Sequence, residues 1–353
     1  MLAAVHGRSR SLAMATIRSL VGLALGVTLI TLALHLTETD LVGSFSRLQT
    51  ATLLAAFAVH GFALMLLTVR WFLLLLCQDV RLPFASVFRL TMVGAFFNLL
   101  IPGPVSGDLA KGVLVSDPRS GRRAEAAVSI LLDRIVGVSM LGILALAALA
   151  LWLLQPSVES VPSNGEISRS IVGVLVSFAT VVVLATISWP LVFTRAAPML
   201  ARLIPERLRP FADRVLIAVQ AFRNSRSTII RTALLTLGAH LLFIIALWII
   251  ANGISDTPVR LDSCFIAFQV GTVLSTVPAT PGGIGVRDLG MALSLESLQP
   301  EVTGTAAIAV VISGIIVVWR LIGGFFLLWT IVVRSDLNAT WDAAATRGKP
   351  ADE

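Results

Sequence analysis

A chain of 353 residues that is 56% hydrophobic and only 13% charged, with a mean hydropathy of +0.91, carries more apolar surface than a soluble domain can bury. That composition excludes a soluble enzyme or binding module and predicts one polytopic membrane domain over residues 1–353. The net charge of +7 comes almost wholly from arginines clustered between apolar runs, which fits positive-inside topology better than nucleic-acid binding.

The segment Met1 to Arg18 carries Arg8, Arg10 and Arg18 ahead of an apolar run from Ser19 to Leu36. About 20 residues suffice to cross the hydrocarbon, and no small-residue cleavage site follows the run. A transmembrane helix with its N-terminus inside is therefore predicted, rather than a signal peptide. A second span runs from about Thr52 to Cys77 and contains His60 and Arg70-Trp71. Arg70, near the inner end, reads either as an interfacial anchor that snorkels or as a substrate contact, the anchor being the simpler. After Leu82-Pro83, an apolar helix from Phe84 to Leu100 breaks at Ile101-Pro102-Gly103-Pro104 and returns from about Ser106 to Ser116. The link holding Asp117, Arg119, Arg122, Arg123 and Glu125 is basic enough to be cytoplasmic. A long helix from Ala124 to Leu154 passes through Asp133-Arg134, and the arginine-free stretch after Gln155-Pro156, with Glu159 and Glu166, is expected outside.

A further helix covers Arg169 to Phe193, followed by a basic linker over residues 194–228. There Leu203, Leu208, Phe211, Val215 and Val219 recur at helical spacing, predicting an amphipathic helix on the cytoplasmic surface. Its arginines either meet anionic headgroups or simply report topology. Next come a helix from Ile229 to Ile254, an outer loop, a second broken element from Leu261 to Leu298, and a closing run from Val302 to Val333. With 32 residues including Arg320, that run is either one tilted helix or two short ones. The tail 334–353 is expected to be cytoplasmic and poorly ordered. The fold class is all-α, with about six to eight transmembrane helices.

Two stretches organise the rest: Asn98-Leu-Leu-Ile-Pro102-Gly103-Pro-Val-Ser-Gly107-Asp108-Leu-Ala-Lys111 and Ser275-Thr-Val-Pro278-Ala-Thr-Pro281-Gly282-Gly283-Ile-Gly285-Val-Arg287-Asp288. Broken backbone at membrane depth survives only where protein or a polar cavity satisfies it, so both read as re-entrant hairpins facing one site. His60 and His240 lie 180 positions apart, Pro102 and Pro281 179, and Asp133-Arg134-Ile-Val-Gly137 and Trp319-Arg320-Leu-Ile-Gly323 186. These offsets argue for a duplication, roughly 52–155 and 229–333, with the second copy inverted, an architecture that places a transport site at the repeat interface. Ordinary helices kinked by glycine and proline are the simpler alternative.

The run Asn98…Ile101-Pro102-Gly103…Gly107-Asp108…Lys111, Asp133-Arg134 and Pro281-Gly282-Gly283-Ile-Gly285-Val-Arg287-Asp288 resembles the lysylphosphatidylglycerol synthase transmembrane family, the flippase-like domain that precedes the aminoacyltransferase domain of multiple-peptide-resistance proteins. The resemblance covers nearly the whole chain. It departs from the family where Ser106-Gly107-Asp108-Leu-Ala-Lys111 replaces Gly-Gly-Asp-x-x-Arg, and where Asp288 replaces a glutamate. Stand-alone members are implicated in handling lipids, including lipid-linked sugars and hopanoids, so the resemblance implies a substrate class and a bacterial cytoplasmic membrane, in which the arginine distribution places both termini inside. No soluble aminoacyltransferase domain is read in the chain, so lysyl transfer is not expected.

Half-helices starting near Gly107 and Gly285 would aim backbone N–H groups and positive dipole ends at a phosphate. Lys111, Arg134, Arg287 and Arg320 would add charge-assisted bonds. Asp108 and Asp288 either complement the helix dipole or recognise the headgroup. Asp133 and Arg134 do not face each other on a helix, so each needs its own partner. Asn98 and Gln269 read as polar lining, Pro102 and Gly283 as parts of the breaks, and the histidines as satisfied core residues. Cys77 and Cys264 have no metal-ligand spacing. No cofactor motif or nucleotide-binding P-loop is read.

The leading expectation is a non-enzymatic transporter that moves an amphiphile with an anionic or zwitterionic headgroup between leaflets, with the bilayer and the headgroup as its partners and a homo-oligomer compatible with it. The alternatives are an intramembrane transferase or phosphatase using Asp108, Asp133 and Asp288 on a polyprenyl phosphate, and a small-solute or ion transporter. Topology is testable first: reporters fused after Leu36 and Gln155 are expected outside and those at Arg209 and Ala343 inside, and finding Arg209 outside would overturn the assignment.

Overall fold

The computed structural model describes residues 2–101, 105–115, 123–154, 173–182 and 224–347, with single positions at 170, 217, 220 and 222. Helices α1 (Leu2–Leu36), α2 (Leu41–Arg47) and α3 (Thr50–Cys77) are followed by α4 (Phe84–Leu100), α5 (Ser106–Val115) and α6 (Arg123–Leu153). A short α7 (Gly173–Val182) precedes α8 (Arg226–Ile254), α9 (Leu261–Leu274), a 3₁₀ turn at Pro281–Gly283, α10 (Val286–Leu298) and α11 (Thr305–Arg347). No strand occurs among the described residues. Five of these helices contain apolar stretches long enough to cross a membrane, Ser19–Leu36, Thr50–Cys77, Ala124–Leu153, Arg226–Ile254 and Thr305–Trp329, so the chain is an all-α polytopic membrane protein.

Both breaks fall at the Pro and Gly clusters. Ile101 is extended at φ −116° and ψ 123°, as expected of a residue preceding a proline, whose ring disfavours the α conformation there. Pro102, Gly103 and Pro104 lie outside the described residues. In the second break Gly282, Gly283 and Gly285 all have positive φ, at 63°, 75° and 83°, a region an L side chain enters only at a cost. Gly282 is fixed a second time, because a Cβ there would stand 1.9 Å from Arg320 Nη1. At Gly285 a Cβ would stand 2.4 Å from the Gly26 carbonyl oxygen of α1.

The helices on either side of each break fold back on one another, α4 on α5 and α9 on α10. The two hairpins enter the bundle from opposite ends. At the first end, Phe84 at the start of α4 meets Phe72 edge-on at 5.6 Å, and Phe88 meets Phe326 of α11. At the other end, Arg47 of α2 pairs with Asp256 beyond α8, Arg260 N–H donates to Gln299 Oε1 at 2.9 Å, and Thr305 hydroxyl to Glu296 at 3.1 Å. The hairpin tips meet between these ends, where a Cβ on Gly282 would lie 3.4 Å from the Asn98 carbonyl oxygen.

Helix α8 packs along α3, and the rest of the packing is reciprocal: α4 lies on α11 while α9 lies on α6, and α5 lies on α6 while α10 lies on α11. Helix α1 stands outside this exchange and touches both tips, through Ser19 hydroxyl to the Leu100 carbonyl at 3.1 Å and through Gly26 against Ile284. The main apolar core gathers around α8, α9, α10 and α11, with Leu247, Ile250, Met291, Leu295 and Ile308 buried. A second core holds Trp71, Leu74, Leu75, Val87 and Leu132 between α3, α4 and α6.

Two expectations are corrected. The closing run is one helix, and it does not stop at Val333: the alanine-rich segment to Arg347 contains no glycine or proline before Gly348, so nothing in it terminates a helix. A short α2, unpredicted, fills the connection between α1 and α3. Of the helix expected over Arg169 to Phe193 the structure describes α7, and the apolar positions of the amphipathic linker from Leu203 to Val219 lie outside the described residues.

Candidate functional site

Helix α6 carries two charged neighbours, Asp133 and Arg134, and neighbouring helical side chains diverge by about 100°. They reach different elements. Asp133, 8% exposed, accepts a bond from Arg70 Nε of α3 at 2.7 Å, and Arg70 Nη1 also donates to Thr236 of α8 at 3.2 Å. Arg70 is thus a buried cross-link of three helices, and the interfacial anchor expected from its place in the sequence is corrected. Arg134 donates from Nε to Asp108 Oδ2 at 2.9 Å and from Nη2 to the same oxygen, tying α5 to α6. Lys111 Nζ lies 4.0 Å from Asp108 Oδ1 and 4.8 Å above the Trp71 ring.

In the second half, Asp288 sits in the first turn of α10. Its Oδ2 accepts the Gly285 N–H at 2.8 Å, and its Oδ1 is bonded by Ser313 Oγ of α11. Arg287 donates to the same serine at 2.5 Å, with its Nε 3.7 Å from Asp288. Arg320 donates from Nη1 to the Gly282 carbonyl at 3.1 Å and has no carboxylate partner among the described residues. Around the tips, Arg70, Lys111, Arg134, Arg287 and Arg320 face Asp108, Asp133 and Asp288. Five basic groups against three acids leave an excess of two positive charges where charge is expensive to bury.

A cavity of about 190 Å³ opens where the tips meet. Asn98 closes it from α4, Arg134 from α6 and Arg320 from α11, and the second break supplies Ser275, Val277, Pro278, Thr280, Gly282 and Gly283. Asn98 Oδ1 accepts from Gly107 N–H at 2.8 Å and from Ser106 Oγ at 3.0 Å, which fixes the amide orientation and leaves Nδ2 as a donor. Thr280 is 2% exposed, and its hydroxyl has no hydrogen-bond partner among the described residues. The cavity wall is rich in donors and, among the described residues, contains no carboxylate.

Of the residues singled out in the sequence, Asn98, Arg134, Gly283 and Arg320 line the cavity, and Pro102 lies outside the described residues. Gly107, Asp108, Lys111, Asp133, Gln269, Gly285, Arg287 and Asp288 do not line it. The half-helix termini are not open phosphate sites at Gly107 and Gly285, because Asn98 takes the first N–H and Asp288 takes the second. Short polar side chains near a helix start fill those orphan donors first. Lys111 turns to Trp71 and Asp108, so the Lys-for-Arg departure from the family pattern falls behind the cavity wall. Gln269 is fully buried, with neither amide atom bonded among the described residues. His60 packs on Phe243 at 4.6 Å, whereas His240 has an unbonded Nδ1 among the described residues and is not the satisfied core histidine expected. Ser275, Val277, Pro278, Thr280 and Gly282 were not foreseen as lining. Their signal was present as the polar and Gly/Pro residues of the break itself.

A family model described as the lysylphosphatidylglycerol synthase TM region matches residues 19–333. No significant match is found among curated proteins. The Arg134–Asp108 contact yields a test by coupling: Arg134→Gln is expected to destabilise the protein in detergent by on the order of 1–3 kcal/mol. Adding Asp108→Asn is expected to recover much of that loss, and strictly additive losses in thermal unfolding would contradict the pair.

Proposed function

The chain belongs to the lysylphosphatidylglycerol synthase transmembrane family, and from that membership we propose that it moves an amphiphile with an anionic or zwitterionic headgroup, a phospholipid, hopanoid or polyprenyl-linked lipid, between the leaflets of a bacterial cytoplasmic membrane. One observation carries the reading: the cavity at the meeting of the two tips is lined by donors and by an arginine whose bonded partner is a backbone carbonyl. A headgroup phosphate there would supply the negative charge that the surrounding acids do not.

In this reading α3 to α6 and α8 to α11 are the two copies of an inverted duplication, and the reciprocal packing of each hairpin on the other copy's last helix supports it. The hairpins are re-entrant and act as gates. Each is tied to the scaffold by an arginine that also lines the cavity, the first through Asp108 and Arg134, the second through Gly282 and Arg320. A phosphate entering the cavity competes for both arginines and loosens both ties. The tie to a carbonyl is the weaker, because a bond between two charged groups exceeds one to a neutral acceptor, so the second hairpin opens first. The tail stays in lipid while the headgroup is desolvated.

No catalytic step is assigned. The three acids that an intramembrane transferase or phosphatase was expected to use are engaged, Asp108 by Arg134, Asp133 by Arg70, and Asp288 by Gly285 and Ser313.

The test is transfer of labelled anionic phospholipid in reconstituted vesicles. Arg320→Gln is expected to remain folded and to lower transfer by roughly 10- to 100-fold, as loss of one charge-assisted bond implies. Undiminished transfer by the folded variant would remove the mechanism.

A further inference from the structure

Resting on the transfer reading, we infer that the headgroup carried is one with no positive charge of its own: a phosphate bearing a neutral, small substituent or none, and not an ammonium-bearing headgroup. Two arginines, Arg134 and Arg320, stand on the cavity wall together with Asn98, whose Oδ1 is already bonded to Gly107 N–H and whose Nδ2 is a donor. An ammonium tethered by two carbons to its phosphate is carried in beside both guanidiniums. It needs an acceptor, preferably a carboxylate, and Asp108, the acid bonded to the wall residue Arg134, is engaged by Arg134 and Lys111. Gly282 offers its carbonyl to Arg320, so what the wall leaves for an ammonium is neutral hydroxyl and carbonyl oxygen, a weaker partner for a full positive charge than a carboxylate. The same phosphate is therefore welcomed or penalised according to what hangs from it. Size acts in the same direction. At about 190 Å³ the cavity is below the ~300–1,000 Å³ of pockets that enclose drug-sized ligands, so a phosphate with a glycerol fits and an oligosaccharide does not.

The experiment measures transfer of fluorescent phosphatidic acid, phosphatidylglycerol, phosphatidylethanolamine and phosphatidylcholine by the full chain in otherwise identical vesicles. The first two are expected to move about tenfold faster or more than the last two, as unpaired like charges in a poorly solvated site require. Equal rates for all four overturn this inference and leave lipid transfer standing, whereas transfer of none overturns the transfer reading itself. A Thr280→Asp substitution, conservative in size and set before Pro281 where a carboxylate can cap the 3₁₀ turn, supplies the missing acceptor. It is expected to narrow the ratio several-fold in a protein whose thermal unfolding is retained. A ratio unchanged by a folded Thr280→Asp protein shows that this cavity does not set the discrimination and overturns the inference.

Discussion

A guanidinium held away from water must meet an anion or a carbonyl, and the middle of this bundle is arranged around that requirement. Transferring such a group to the centre of a bilayer costs about 2.5–3.5 kcal/mol even on the lenient insertion scale. Arg70 answers it with Asp133 and Thr236, Arg134 with Asp108, Arg287 with Ser313 and Asp288. Among the described residues, Arg320 answers it with the Gly282 carbonyl. That carbonyl is reachable because residue 282 is a glycine in the left-handed region, with no Cβ in the guanidinium's way. The glycine of the break and the arginine of the last helix are thus one device, built from residues 38 positions apart.

The two halves of the chain solve the same packing problem with different chemistry. Where α6 carries Asp133 to bind Arg70, α11 carries, next to Arg320, Trp319, which stacks on Phe57 at 4.7 Å and donates to its carbonyl at 3.2 Å. Gly61 makes room, since a Cβ there would lie 2.3 Å from the indole. At these places α6 is pinned by an ion pair and α11 by an aromatic contact, and Asp288 is taken by the Gly285 N–H and Ser313, which leaves Arg320 without a carboxylate among the described residues.

The helices and breaks were legible in the sequence because their causes are local. Phe84–Leu100 ends where the next proline forbids another turn, and the second break opens at a run of proline and left-handed glycine. The need for separate partners at Asp133 and Arg134 was also legible, because adjacent helical side chains diverge. The partners themselves were not. Arg70 and Asp133 are 63 positions apart, and nothing in the sequence of α3 distinguishes an arginine that snorkels from one that crosses to α6. The half-helix termini misled for a related reason: their dipoles are real, but Asn98 and Asp288 had already filled the N–H groups that the pattern offered to a ligand.

In the proposed mechanism Arg320 and the second tip hold the phosphate of an anionic lipid. Quantitative lipid analysis of the purified protein beside its Arg320→Gln variant tests it most directly. An anionic phospholipid or prenyl phosphate is expected to be enriched over its share of the membrane with the parent chain and lost from the folded variant. Equal retention by both, or enrichment of a headgroup without phosphate, would contradict it.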